Sequence, residues 1–374
     1  LKDIKISQID ALFAGGLYPI EFLLYFRERL DTGKIRNSLK KLSSVFWPIF
    51  GEFKEGRIYF KEYDEKECYE EDAVDLEFPI PSTEKERLEV YSRFRLPDTK
   101  KLFRLRITQF KNGTMLVPKL SHLGGDGYSY FYFLSSLASI SQHALLPSKS
   151  ALMPILFRPH HRRTILKDFS AEGTEWGIPK QETSFMMEIA EIPRKDVNGS
   201  IRAVAESKDF RISTNDILCA MAVKKLASGR KKTGDEFTDL TVPIDVRRKV
   251  KEYGRRFFGN GIWLHTIRLK MEEIGGLPTE ELAIRIRKSM PSVSKLAYVE
   301  YLTKLEDIIF RGEREKIRPF DPATGYLVTN ISRLPIDRLN FGTGPPDVVF
   351  PLTIEKNAAA ILAKEENFII RIAR

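Results

Sequence analysis

Two alternating apolar runs, residues 103–110 and 114–120, flank Lys111-Asn112-Gly113, and the second leads directly into Ser121-His122-Leu123-Gly124-Gly125-Asp126-Gly127. Asn-Gly between two strand-like runs is a strong hairpin signal. Behind the glycines, an apolar stretch from about Tyr128 to Gln142 predicts a helix. A strand pair that feeds a helix through a glycine turn calls for mixed α/β packing, with a histidine delivered at the junction.

The rest of the chain keeps that mixture. Residues 34–46 place Ile35, Leu39, Leu42 and Phe46 at helical spacing until Pro48 ends the run, and 53–60 read as a hairpin turning at Glu55-Gly56. Residues 143–180 carry Pro147, Pro154, Pro159, Pro179 and a basic cluster at Arg158–Arg163, with little periodicity. They read as a linker. Beyond it, a strand is expected over 184–191. Ser213-Thr214-Asn215-Asp216 resembles a capping box, with Ile217, Leu218 and Met221 starting the helix behind it. Strands follow near 237–243 and 262–269, helices over 279–289 and 292–310, and strands near 325–330, 347–353, 358–363 and 367–373. The class is α/β or α+β. The expected organisation is an N-terminal domain over 1–145, a crossover linker over 146–180 and a C-terminal domain over 181–374.

Composition narrows the function. With 374 residues, 42% hydrophobic and 30% charged, the chain has the make-up of a globular protein. Cys68 and Cys219 are too few for a disulfide framework and lack zinc-type spacing, so no metal is expected. No apolar run approaches the length of a membrane span. The start at Leu1-Lys2-Asp3 shows no apolar leader, and a reducing, cytoplasmic setting is the default expectation. Lys and Arg total 61 against 51 Asp and Glu, a net charge of +10 that asks for an anionic partner. Nucleic acid, an anionic membrane surface, a phosphorylated cofactor and an acidic carrier protein all fit. The basic residues are interspersed with acids, which favours a solvated surface over a nucleic-acid face. No G-x-S-x-G, Walker A, H-E-x-x-H or G-x-G-x-x-G sequence occurs.

His122 is the first candidate for chemistry. The glycines after it let the backbone turn tightly and leave the imidazole uncrowded. A helix beginning just behind it disfavours imidazolium and keeps the ring a neutral base. The plainer alternative is a histidine at a hairpin exit. Asp126 likewise reads as an N-cap of the following helix.

Residues 241–261, with Asp245-Val246-Arg247 and Phe258-Gly259-Asn260, and residues 327–346, with Asn340-Phe341-Gly342-Thr343-Gly344, set His122-x-x-x-Asp126-Gly127 in a wider pattern. Together with Trp47-Pro48-Ile49-Phe50-Gly51 and Ser213-Thr214, they resemble the BAHD family of CoA-dependent acyltransferases. That superfamily includes chloramphenicol acetyltransferase and the condensation domains of peptide synthetases. The landmarks occur in family order over most of the chain.

The resemblance implies two pseudo-symmetric domains of mixed sheets and helices, with an active-site channel between them. It implies acyl transfer from acyl-CoA to a small-molecule alcohol or amine, with no permanently bound cofactor. His122 would be the general base, and Asp126 would pair with Arg247 in a structural role supported by Gly127. Asn330 would donate to the oxyanion, or else satisfy local backbone. Residues 340–344 would form channel wall, although Asn340 and Thr343 replace the family's Asp and Trp. CoA phosphates need cations, and Arg248, Lys249 and Arg255 are candidates, with Ser213 and Thr214 opening a helix on the cofactor side. Solvated loops explain such basic runs more often. His160 and His161 read as a surface loop, and His143 and His265 carry no pattern. A monomer can build the whole site. The rivals are a carrier-protein acyl donor and a non-catalytic binding relative.

Overall fold

In a computed structural model that describes residues 1–16, 18–142, 159–161, 165–166, 169–174, 186–228, 236–336, 339–353 and 355–374, strands and helices mix throughout the chain. The N-terminal part runs β1 (Lys2–Lys5), α1 (Gln8–Ala11), β2 (Ile20–Phe26), α2 (Thr32–Ser43), β3 (Glu52–Lys54), β4 (Arg57–Phe60), α3 (Glu65–Cys68), β5 (Tyr69–Ala73), α4 (Glu84–Tyr91), β6 (Phe103–Phe110), β7 (Gly113–Leu120) and α5 (Gly127–Gln142). The C-terminal part runs β8 (Met187–Pro193), α6 (Arg194–Lys208), α7 (Thr214–Ala227), β9 (Phe237–Asp245), β10 (Ile262–Lys270), α8 (Met271–Gly276), α9 (Thr279–Ser289), α10 (Lys295–Phe310), β11 (Gly325–Asn330), β12 (Val348–Pro351), β13 (Ala358–Lys364) and β14 (Asn367–Ala373). Among the described helices, none is long and apolar enough to cross a membrane.

The strands form two main sheets, a five-stranded one in the order β12-β2-β7-β6-β5 and a six-stranded one in the order β10-β9-β11-β13-β14-β8. A three-stranded sheet, β1-β4-β3, lies apart from both. The β6–β7 hairpin pairs Phe110 with Gly113 and turns on Lys111-Asn112. Gly113 therefore belongs to the strand rather than the turn. A Cβ there would lie 2.1 Å from the Phe26 carbonyl oxygen of β2, so only glycine lets the two strands approach.

Strand β2 lies inside the five-stranded sheet, between β12 and β7, and is buried on both faces. Phe22, Leu24 and Phe26 pack under α2 and α5, while Leu23 and Tyr25 pack against Phe78 and Tyr91 on the other face. Each such buried Leu or Phe contributes about 1.5–3 kcal/mol. The six-stranded sheet carries α6, α7 and α9 on one face, where Val197, Leu218, Val223, Leu282 and Ile286 meet Val328, Ile361 and Ile370. Its other face is turned to the cleft described below.

Two features join the halves. Strand β12 pairs antiparallel with β2, so Val348–Pro351 sits in the sheet built otherwise from the first 120 residues. A third core mixes Ile6, Ile9, Leu12 and Phe13 with Val246, Tyr253, Tyr298 and Leu302.

The expected linker and the Arg158–Arg163 cluster lie largely outside the described residues, as does His143. Within that segment His160 and His161 are described and are half-buried, in place of the expected surface loop. His160 bonds through its ring to the Tyr253 carbonyl, and His161 Nε2 lies 2.9 Å from the Val45 carbonyl oxygen. Both rings tie residues 159–161 to the core.

Candidate active site

His122 follows β7 and stands at one end of a cleft of about 310 Å³ between the two main sheets. Its ring stacks on Phe13, with centroids 3.9 Å apart and planes inclined by 12°. Nδ1 lies 3.0 Å from Asn260 Oδ1. The other end of that amide fixes the assignment. Asn260 Nδ2 donates to the His122 carbonyl at 2.8 Å and to Asp10 Oδ1 at 2.7 Å, so the group facing the imidazole is an oxygen that only accepts. The proton therefore sits on Nδ1, and Nε2 keeps its lone pair. Burial pushes the imidazole pKa below its ordinary value, against the raising effect of Asp126. The ring is a neutral base with its basic nitrogen defined.

Asp10 is itself held. Ser7 and Asp10 form a capping box at the start of α1, Ser7 N–H donating to Asp10 Oδ2 at 2.8 Å. A chain of bonds thus runs from Ser7 through Asp10 and Asn260 to His122.

Asp126 lies at the edge of the cleft in a buried cluster. Arg247 meets it in a fork, Nη1 to Oδ2 and Nη2 to Oδ1, both at 2.8 Å. Oδ1 also accepts Ser129 N–H at 3.0 Å and Oδ2 accepts Gly261 N–H at 2.9 Å. Burial alone would raise the Asp126 pKa, but Arg247 and the two N–H groups outweigh it and hold the carboxyl below its usual range. Asp126 is thus both the N-terminal cap of α5 and an ion-pair partner. The Arg247 guanidinium lies 4.5 Å from the Tyr128 ring centroid and 5.4 Å from that of Phe257. It also donates to the Gly259 carbonyl at 3.0 Å. Gly261 faces it so closely that a Cβ would come within 2.8 Å of the guanidinium carbon. Gly127 opens α5 and lines the cleft, where a Cβ would lie 3.1 Å from Leu334.

Asn330 ends β11 and also lines the cleft. Its Nδ2 donates to Asn215 Oδ1 at 2.9 Å, and its Oδ1 accepts Ser332 N–H at 3.0 Å. One amide hydrogen remains uncommitted to these bonds. Ser213 caps α7 through Asp216, Thr214 is the first helical residue, and neither lines the cleft. Arg248, Lys249 and Arg255 are exposed and also stand off the cleft lining, although the Arg255 carbonyl accepts from the hydroxyl of the cleft residue Tyr128.

Residues 340–344 stand behind the cleft rather than on its lining. Phe341 packs edge-on against Phe26 in the N-terminal core, and Asn340 Oδ1 accepts the N–H groups of Gly342 and Gly344 at 2.7 and 3.1 Å. An aspartate oxygen would serve those two N–H groups equally, so the Asn replacement keeps the loop's acceptor. The Thr343 hydroxyl is buried and finds no bonding partner among the described residues.

Sequence reasoning passed over Asp10, Phe13, Glu21, Glu355 and Arg371. The Ser7-x-x-Asp10 box was a readable signal for the first of these. Asn260 belongs to a sequence landmark, and its hold on His122 emerges only in three dimensions. Among the described residues no group of three or more His, Cys, Asp or Glu is placed to hold a metal ion.

The profile described as "Transferase family" matches residues 74–367, well over half the chain. The chain belongs to the transferase family. It is of BAHD type, and its two-sheet architecture is shared with solved members. TRI101 of F. sporotrichioides, solved with coenzyme A and T-2, superposes with a TM-score of 0.75 at 14% identity, covering 100% of this chain and 95% of that one. Vinorine synthase gives a TM-score of 0.70 at 17% identity, covering 100% and 90%. The first condensation domain of the calcium-dependent antibiotic synthetase gives 0.60 at 11%, covering 100% and 90%. At these identities the superpositions speak to fold. No match was found among curated protein sequences.

Proposed function

We propose that this BAHD-type transferase moves an acyl group from acyl-CoA to a hydroxyl or amine of a small-molecule acceptor, with His122 as general base. The observation that carries the reading is the Asn260 amide, whose two acceptors leave His122 with a proton on Nδ1 and a bare Nε2 in the cleft. A neutral imidazole so oriented takes the acceptor's proton as its oxygen or nitrogen attacks the thioester carbonyl. His122 then returns that proton to the departing CoA thiolate, and no acyl-enzyme forms. Asn330 also lines the cleft, and its uncommitted amide hydrogen would donate to the oxyanion, a contribution of about 3–4 kcal/mol where such donors are preorganised. Asp126 and Arg247 hold the turn that carries His122 and do not enter the chemistry. Arg248, Lys249 and Arg255 offer exposed cations for the CoA phosphates, with Ser213 and Thr214 near the Asn215–Asn330 link. A single chain supplies the whole site.

TRI101 supports this reading as a protein of the same fold solved with coenzyme A. The test is a thermal-shift titration with CoA, acetyl-CoA and a long-chain acyl-CoA at low and moderate salt. A ligand at 100 times its dissociation constant adds about 2.7 kcal/mol to stability. The expected result is a saturable shift that survives moderate salt. Absence of a shift with every CoA species would point to a carrier-protein donor or to a binding protein without acyl-CoA chemistry.

A further inference from the structure

The cleft floor is one face of the six-stranded sheet. Arg371 on β14 lies opposite Ala360 on β13, which lies opposite Thr329 on β11, and all three line the cleft. Ala358 and Ala373 pair in the neighbouring row, so small side chains leave room above the sheet around the Arg371 guanidinium. Arg371 is only 4% exposed. Its Nη1 donates to the Pro351 carbonyl, and the guanidinium lies 4.3 Å from the Phe350 ring centroid. Among the described residues its Nε and Nη2 find no acceptor, although both are buried.

Those two atoms form one edge of the guanidinium. They present parallel N–H groups in the fork that matches the two oxygens of a carboxylate. Burial lowers the Arg371 pKa to about 10, which still leaves it charged at neutral pH. Glu84, the acid that acts on it, is already bonded to Arg87 at 2.7 Å and lies 3.8 Å from Lys364. The other acids of the cleft are placed elsewhere. Glu21 accepts from Leu96 N–H, Asp126 and Asp245 from Arg247, and burial pushes the Glu355 carboxyl up to about 7. A buried charge without its full set of partners is costly, and apolar packing alone would be better served by methionine or leucine.

We propose that Arg371 is the anion-binding residue of this cleft and that the acyl acceptor carries a carboxylate that docks on its Nε–Nη2 edge. The proposal deepens the acyl-transfer reading and rests on it for the word acceptor. His122 is held by Asn260 of the β9–β10 connection, and β14 is three strand spacings from β9, about 14 Å. The acceptor is therefore an extended hydroxy or amino acid with its nucleophile and carboxylate at opposite ends.

The test compares 4-hydroxycinnamate and 12-hydroxydodecanoate with their methyl esters, by calorimetric binding to the full chain. At least one acid should bind about tenfold or more tighter than its ester, the range of a charge-assisted bond. That ratio should fall to near one in Arg371→Gln and be partly kept in Arg371→Lys, the variant that preserves the charge if Gln disturbs folding. Equal binding of every acid and ester, or a preference that survives in Arg371→Gln, overturns the proposal. A preference for malonyl-CoA over acetyl-CoA that disappears in Arg371→Gln would place the carboxylate on the acyl donor and also overturn it. Acetyl-CoA binding is measured alongside. Its loss with the acid preference intact would count against acyl transfer and leave the anion site standing.

Discussion

At the scale of single residues, Asn260 decides what His122 can do. An amide that spends both its hydrogens on the His122 carbonyl and on Asp10 turns its oxygen to the imidazole, and that oxygen fixes the tautomer. Replacing His122 with Ala should lower turnover by about two to four orders of magnitude, the general-base range, with CoA affinity retained. Near-full turnover by a folded His122→Ala protein would contradict the mechanism. The pH dependence follows from the direction of the shift. Burial holds the folded imidazole pKa below the ordinary value of about 6.5. Above that value the ring is neutral in both folded and unfolded chains and its titration does not affect stability. As pH falls through it, the unfolded chain takes up the proton first, so stability declines until the folded ring protonates too. Activity should accordingly hold as pH falls through 6.5 and decline only at lower pH. A kcat/KM profile whose acid limb lies at or above 6.5 would be inconsistent with this.

At the scale of elements, α5 is the part that ties chemistry to fold. Its first residues hold Asp126 against Arg247, and the pair connects the α5 cap to the loop that carries Gly259, Asn260 and Gly261. Breaking one side leaves a buried guanidinium uncompensated. Asp126→Ala should lose about 3–5 kcal/mol of stability, read by denaturant unfolding, and lose activity through a displaced His122. Normal stability with lost activity would give Asp126 a direct chemical role. Much of this region was legible in the sequence. The β6–β7 hairpin, the helix after the glycines, the α7 capping box and most C-terminal strands follow from alternation, caps and turn residues. Other elements were hidden for physical reasons. β2 is a nearly continuous apolar run because both its faces are buried, and such a run has no period to read. α6 buries only Val197 and Val204 and contains Gly199, so its apolar stripe is thin. β1 is a short, mostly exposed strand of alternating charge.

At the scale of the whole molecule, the site exists because distant segments meet. His122 comes from one sheet, Asn260 follows the other, and Phe13 and Asp10 come from the start of the chain. The motif residues His122, Asp126 and Arg247 could be found because they sit in contiguous patterns. Arg371 could not, because nothing in its strand sequence tells that its neighbours are alanines and an open cleft. Strand β12 crossing to β2 and the core shared by Leu12, Phe13, Tyr253 and Tyr298 bind the halves together. Calorimetry should therefore show one unfolding transition, with calorimetric and van't Hoff enthalpies in agreement. Two resolved transitions would mean that the halves unfold independently.

The most direct measurement is nitrogen-15 NMR of histidine-labelled protein across pH, with the His122 signal assigned by its absence in His122→Ala. The prediction is a neutral ring protonated on Nδ1 and bare on Nε2 from pH 8 down through the ordinary histidine value, and loss of that single tautomer in Asn260→Ala. A proton on Nε2 near neutral pH, or titration at or above the ordinary histidine value, would contradict His122 as the cleft's general base.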